Sequence, residues 1–229
     1  MTISILAHDE KTGAFGGAAT TGSLCVGGWV LRGDVDSGLS ASQGSLPSTM
    51  WGVEVLSRMK GGVSAEAAVA AVTGSDPGRH ERQLSALDPT GGTAGFTGAA
   101  SLPAAGARPG PGVVVAGNML ASEGVLDACL DGFRAAEGPF DLRLLAALDA
   151  AERAGGDSRG LLSAALLVVR RDAAPLTLRI DHSAAPLTAL RDLHGRATSG
   201  AYADWAALVP VPDDPHRAEP YVAKADPRG

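Results

Sequence analysis

Strand-like segments come in pairs along this chain, and pairs of helical segments separate them. Ile3 to His8 and Gly16 to Thr20 read as strands, joined by Asp9-Glu10-Lys11-Thr12-Gly13, a polar turn ending in glycine. Leu24 to Arg32 and Val35 to Gln43 read as a second pair, with Gly33-Asp34 at the turn. Helical periodicity follows: Thr49 to Met59 puts Trp51, Val55 and Met59 on one face, and Ser64 to Val72 starts at a capping serine. Strands return at Gln83 to Leu87, Gly95 to Thr97 and Val113 to Ala116. Helices follow at Ser122 to Ala136, with Ser122 as N-cap, and at Asp141 to Arg153. Strands at Ala164 to Arg170 and Leu176 to Ile180 and a helix at Leu187 to His194 close the pattern.

Such blocks lack the regular βαβ alternation of a doubly wound parallel sheet. They suit an α+β fold in which two antiparallel sheets stack face to face with helices outside, a four-layer αββα sandwich. The first strand then lies centrally. Residues 1–198 are expected to form this domain. The Pro- and Ala-rich stretch 199–229, with Pro210, Pro212, Pro215, Pro220 and Pro227, is expected to be a loosely ordered tail with one turn near Trp205.

Thr2 heads the first strand. If Met1 is removed, one residue carries both a nucleophilic hydroxyl and a free α-amine of pKa about 8, close enough to neutrality to serve as general base. Ser4 shares its strand face by the two-residue period and reads as a supporting hydroxyl.

Other chemistries find little support. The net charge of −6, with no Lys/Arg cluster, argues against nucleic acid or an anionic membrane as partner. The apolar runs are too short to span a bilayer, and no secretory signal is visible. Cys25 and Cys129 lack metal, redox or disulfide spacing and read as reduced thiols. The five histidines show no ligand spacing, and neither phosphate-loop nor dinucleotide-binding glycines occur, so no metal or cofactor is expected. The expected partner is a small-molecule substrate, in a cytoplasmic homo-oligomer taken as a dimer.

Several segments together resemble the DUF1028 family, whose members look like N-terminal-nucleophile (Ntn) hydrolases. They begin with Met1-Thr2-Ile3-Ser4-Ile5-Leu6-Ala7-His8-Asp9 and Val35 to Gln43. They continue through Asp76-Pro77-Gly78-Arg79 with Arg82-Gln83, then Ala94 to Gly98 and Gly117-Asn118-Met119-Leu120. The strongest block is Ala154-Gly155-Gly156-Asp157-Ser158-Arg159-Gly160 with Ser163 to Val168, and Arg179 to His182 completes the series. The resemblance covers roughly residues 1 to 195 and implies the αββα sandwich with Thr2 as nucleophile. It names no substrate. The chain departs from the family's pattern at Ala104, at Leu162 and at Ser45-Leu46-Pro47.

The implied chemistry is acyl transfer on an amide or amide-like bond; Arg32 and Arg159 in an acidic chain point to a small, polar, anionic amide or ureido substrate. Asn118, behind a strand and Gly117, is the candidate oxyanion donor, or else a strand-end turn residue. Ser163 is placed to bond the Thr2 amine or to satisfy backbone. Arg32 stands where the superfamily often has a lysine, Lys11, Lys60 and Lys224 being elsewhere. It is a candidate to hold a substrate carboxylate or depress the amine pKa, or else a surface arginine beside a hairpin. Ser42 and Gln43 are candidates to bond a substrate amide or carboxylate. Arg159 is a candidate anion ligand with Asp157 orienting it or the amine, or else the two form a local pair that shapes the loop. The rival reading is a catalytically silent sandwich that binds a small molecule or stabilises an assembly.

Overall fold

A computed structural model of the 229-residue chain describes residues 2–157 and 159–218. Two antiparallel sheets form its centre. The larger has six strands in the order β10-β9-β2-β1-β8-β7, and the smaller has four in the order β3-β4-β5-β6. In chain order these are β1 (Thr2–Asp9), β2 (Ala14–Thr21), β3 (Leu31–Asp34), β4 (Gly38–Gly44) and β5 (Arg82–Leu87). Then come β6 (Thr93–Thr97), β7 (Gly106–Gly110), β8 (Val113–Asn118), β9 (Ser163–Val169) and β10 (Leu176–Ile180). The helices are α1 (Val26–Trp29), α2 (Trp51–Lys60), α3 (Ala65–Gly74), α4 (Gly124–Ala135), α5 (Phe140–Arg153), α6 (Pro186–Ala197) and α7 (Gly200–Ala206).

Three apolar layers hold four structural layers together. Ile3, Ile5 and Ala7 of β1 pack with Leu126 and Cys129 of α4, Leu144 and Leu148 of α5 and Leu190 of α6. Burial pushes the Cys129 thiol up to about 12, so it packs as a neutral hydrophobe. Leu6, Phe15, Ala19, Leu39, Ala41, Leu87, Val114, Ala165 and Val169 fill the space between the sheets. Trp51, Val55 and Met59 of α2 meet Ala68 and Val72 of α3 over Leu84 and Ala86 of β5. The fold is therefore the αββα sandwich, with β1 in the interior of the larger sheet.

The two-residue period of each strand sets which side chains enter the inter-sheet layer. Leu6 places Ser4 and Thr2 there, Leu87 places Ser85 and Gln83, Leu39 and Ala41 place Gln43, and Val114 places Asn118. The layer is apolar around Phe15, Leu31 and Val169 and turns polar at its other end. Thr2, Thr21, Gln43, Gln83 and Asn118 meet there.

Local departures from the expected elements have physical causes. Of the strand expected at residues 24–32 only Leu31 and Arg32 are strand, in β3: Cys25 adopts a left-handed φ of 61° and starts the one-turn α1. A Cβ on Gly27 would stand 2.8 Å from the Ala165 Cβ, so only glycine lets this turn lie on β9. The β3–β4 turn falls at residues 35–37, because Asp34 Oδ1 accepts from the Asp36 and Ser37 amides, each at 2.8 Å. Strand β7 carries Pro109 at a sheet edge and none of the alternation that marks a strand. Ser64 caps α3, accepting from the Ala67 amide at 3.3 Å, whereas the residue at the N-cap of α4 is Glu123, without a side-chain cap.

Part of the expected tail is built: α7 is followed by a turn in which the Asp213 amide donates to the Arg171 carbonyl at 3.0 Å. Pro220 and Pro227 lie outside the described residues, as do Met1 and Ser158. Among the described residues no helix is long and apolar enough to cross a membrane.

Candidate active site

Thr2 sits between two partners fixed by strand register. It faces Thr21 of β2 on one side and Asn118 of β8 on the other. Its hydroxyl donates to Thr21 Oγ1 at 3.2 Å. This end of the sandwich opens into a cavity of about 680 Å³ lined by Thr2, Thr21, Ser42, Gln43, Arg82, Asn118 and Arg159 among others.

Three buried carboxamides form a connected group beside Thr2. Gln83 Nε2 donates its two N–H groups to the Gly106 carbonyl at 3.0 Å and the Gly117 carbonyl at 2.9 Å, with Thr97 Oγ1 2.8 Å from the same nitrogen. Two carbonyl partners require a nitrogen at that position, so the orientation of the amide is unambiguous. Gln83 Oε1 therefore accepts from Gln43 Nε2 at 2.7 Å and from Asn118 Nδ2 at 3.1 Å. Gln43 Nε2 also approaches the Thr2 carbonyl at 3.4 Å. The orientations of all three amides follow from one residue. Gln43 Oε1 is left buried with no hydrogen-bond partner among the described residues.

Asn118 keeps a second amide N–H beyond the one given to Gln83. Immediately after it, Met119 takes a left-handed φ of 55°, and its backbone N–H is already bonded to the Leu102 carbonyl at 2.9 Å. The N–H that this turn can offer to the cavity is thus on the Asn118 side chain rather than on the Met119 backbone.

Arg159 lines the cavity, and the buried carboxylate of Asp157 stands behind it. Asp157 Oδ2 accepts from the Gly22 amide at 2.6 Å, one residue beyond Thr21. Arg159 donates to Asp157 from its backbone at 2.8 Å, from Nε at 3.1 Å and from Nη2 at 3.2 Å. Burial opposes ionisation of Asp157. The Arg159 hydrogen bonds and the Gly22 amide help to outweigh it, and the carboxyl is held below the usual range. A Cβ on Gly22 would lie 2.4 Å from Asp157 Oδ2, so this close approach needs glycine.

The remaining candidates are engaged by backbone or lie outside the cavity. Ser42 lines the cavity, but its hydroxyl donates to the Ser48 carbonyl at 2.9 Å. Ser163 does not line it: Ser163 Oγ donates to the Ser23 carbonyl at 2.8 Å and accepts from the Val26 amide at 3.1 Å. It anchors the loop that forms the cavity's rim. Arg32 lies outside the cavity, donating to the Trp29 carbonyl at 2.7 Å beneath α2. Ser4 Oγ is buried without a partner among the described residues and does not reach the cavity lining. Ala104 and Leu162 are not lining residues, whereas Ser45, Leu46 and Pro47 are.

Sequence reasoning passed over Gln83, Arg82 and Thr21. Gln83 and Arg82 belong to the family-like stretch that starts at Asp76, which by itself assigns them no role. Arg82 lines the cavity, pairs with Asp76 at 3.1 Å and lies 5.9 Å from the Trp51 ring centroid. No group of three or more His, Cys, Asp or Glu side chains placed to hold a metal occurs among the described residues.

A family model with the description "Family of unknown function (DUF1028)" matches residues 2–190. Among solved structures, the chain is similar to the crystal structure of protein SPO2555 from Silicibacter pomeroyi, also assigned to DUF1028. The two share 52% identity and a TM-score of 0.91 over 94% of this chain and 98% of that one. HslV from Trypanosoma brucei matches at 11% identity and a TM-score of 0.44, over 74% of this chain and 99% of that one. No curated protein matches.

Proposed function

This chain belongs to the DUF1028 family, and we propose from its site that it is an amidohydrolase using Thr2, freed by loss of Met1, as an N-terminal nucleophile. Thr2 Oγ attacks the carbonyl carbon of an amide or ureido bond, and the Thr2 α-amine accepts the hydroxyl proton. The Asn118 amide donates to the oxyanion of the tetrahedral intermediate, an interaction worth about 3 kcal/mol of barrier in comparable sites. Collapse expels the amine, which takes the proton from the α-ammonium. Water, deprotonated by the same amine, then releases the acyl group from Thr2.

The observation that carries this reading is the placement of Thr2 at the mouth of β1, paired with Thr21 and Asn118 at the edge of a substrate-sized cavity. Arg159 and Arg82 on its walls favour a small anionic substrate. Arg32, outside the cavity, has no part in this scheme.

Intact mass and activity test it together. The mature protein should lack Met1 and hydrolyse members of a panel of anionic amides and ureides, and Thr2→Ala should abolish turnover at an unchanged melting temperature. Retention of Met1 in active protein, or full activity in Thr2→Ala, would sink the mechanism.

A further inference from the structure

Gln43 is 1% exposed and forms part of the cavity wall, yet its Oε1 has no donor among the described residues. Its orientation is not open to exchange. Flipping the amide would bring Oε1 against Gln83 Oε1, which Gln83's two carbonyl contacts hold in place. A buried acceptor left unpaired is costly, and one at a cavity wall is satisfied when a ligand brings a donor. Beside it, Asn118 offers a donor from the same Gln83 anchor. A donor and an acceptor side by side are the complement of one carboxamide edge, whose C=O and N–H present the opposite pair.

The rim adds a second element. The Ser42 amide bonds the Val30 carbonyl at 3.2 Å, which ties the Trp29-Val30 segment to the strand carrying Gln43. On the other side, the Ser45 and Leu46 amides converge on the Glu81 carbonyl. Leu24, Trp29 and Leu46 all line the cavity while being half or more exposed. Apolar surface left open at the mouth of a polar cavity marks where a ligand's apolar part lies.

We propose that the substrate is an amide bearing at least one N–H, which it donates to Gln43 Oε1, and an apolar substituent, which rests on Leu24, Trp29 and Leu46. Esters and N,N-disubstituted amides leave the Gln43 acceptor unpaired and are disfavoured. This assignment names the substrate class of the site read above and rests on that reading.

The test is a binding measurement on the Thr2→Ala protein, which holds an amide without turning it over. Phenylacetamide, N,N-dimethylphenylacetamide and acetamide are titrated by calorimetry, with the side-chain amide resonances of Gln43 followed by NMR. Phenylacetamide should bind about tenfold or more tightly than its dimethyl analogue, since the analogue strands a buried acceptor. It should exceed acetamide by about tenfold or more, through apolar burial on the rim. Gln43→Met should erase the first preference, and Trp29→Ala, on the exposed rim, should reduce the second. Equal affinity for phenylacetamide and its dimethyl analogue, a preference that survives Gln43→Met, or no binding of phenylacetamide up to its solubility limit overturns the proposal. A preference found in Thr2→Ala beside full activity in that variant would instead overturn the Thr2 mechanism and leave the ligand assignment standing.

Discussion

Gln83 Oε1 accepts hydrogen bonds from Asn118 and Gln43 at once, so one strand residue of the smaller sheet orients two side chains that flank Thr2 in the larger. The two sheets are therefore joined at the candidate site by polar contacts, and elsewhere mainly by apolar packing, with Thr93 Oγ1 donating to the Gly110 carbonyl at 2.8 Å. Gln83→Leu strands the Gly106 and Gly117 carbonyls and both partner amides. It should destabilise the protein by about 3 kcal/mol or more. Gln83→Glu replaces the donor to those carbonyls with an acceptor and should be equally damaging. Urea unfolding with the slope compared to the parent measures the loss, and a change under about 1 kcal/mol would contradict the hub role.

Thr21 holds the hydroxyl of Thr2 in one direction. Thr21→Val keeps the side-chain volume and removes that acceptor. On the proposed mechanism, kcat should fall by about tenfold, the equivalent of one hydrogen bond, with KM nearly unchanged. A fall in KM-dependent terms alone would assign Thr21 to substrate binding instead.

Gly22→Ala forces a methyl group into Asp157 Oδ2 and the Gly160 carbonyl. The Asp157 carboxylate should move off the Gly22 amide and take Arg159 with it. The expected result is a raised KM for anionic substrates with a smaller effect on neutral ones. Equal KM changes for both classes would show that Arg159 does not read charge.

Ser163 bridges Ser23 and Val26 rather than contacting Thr2. Ser163→Ala should cost about 1 to 2 kcal/mol of stability and leave the pH dependence of kcat where it was. A displaced pH profile would mean that Ser163 acts on the amine.

Asp88 ties the start of α3 to the β5–β6 turn. Burial opposes its charge, but Thr90 Oγ1 at 2.6 Å and the amides of Ala65, Thr90 and Gly92 outweigh this and lower its pKa. A carboxyl whose folded pKa is depressed stabilises the fold above its unfolded value, near 3.9, and that contribution disappears as pH falls through the folded value. Asp88→Asn should therefore be less stable than the parent by about 1 to 3 kcal/mol at pH 7, with the gap narrowing below pH ~4. Chemical unfolding of both proteins at neutral and acid pH measures it, and a gap that widened in acid would reverse the sign.

The layer order, the central first strand and the exposure of Thr2 at its end were legible in the chain. Periodicity reports which face of a strand or helix is buried, and paired strands with paired helices admit few ways to bury both. Sites made by backbone were less so. Residues 24–32 are apolar enough for a strand, but Gly27 and Gly28 allow a turn packed on β9 and Arg179. Edge strand β7 takes its pairing from Val113 to Gly117 of β8 and needs no pattern of its own.

By itself, then, the sequence determined the four-layer arrangement and which residues share a face, because burial and strand period are properties of each segment. The tertiary structure alone decided which polar groups meet. Gln83 is one of several polar strand residues until the sheets stack and set it against Gln43 and Asn118. Arg32 and Ser163 read as site residues until their hydrogen bonds are seen to run to backbone. Hydrogen-bond partners depend on distances of a few tenths of an ångström between strands far apart in the chain, and segmental patterns carry no such information.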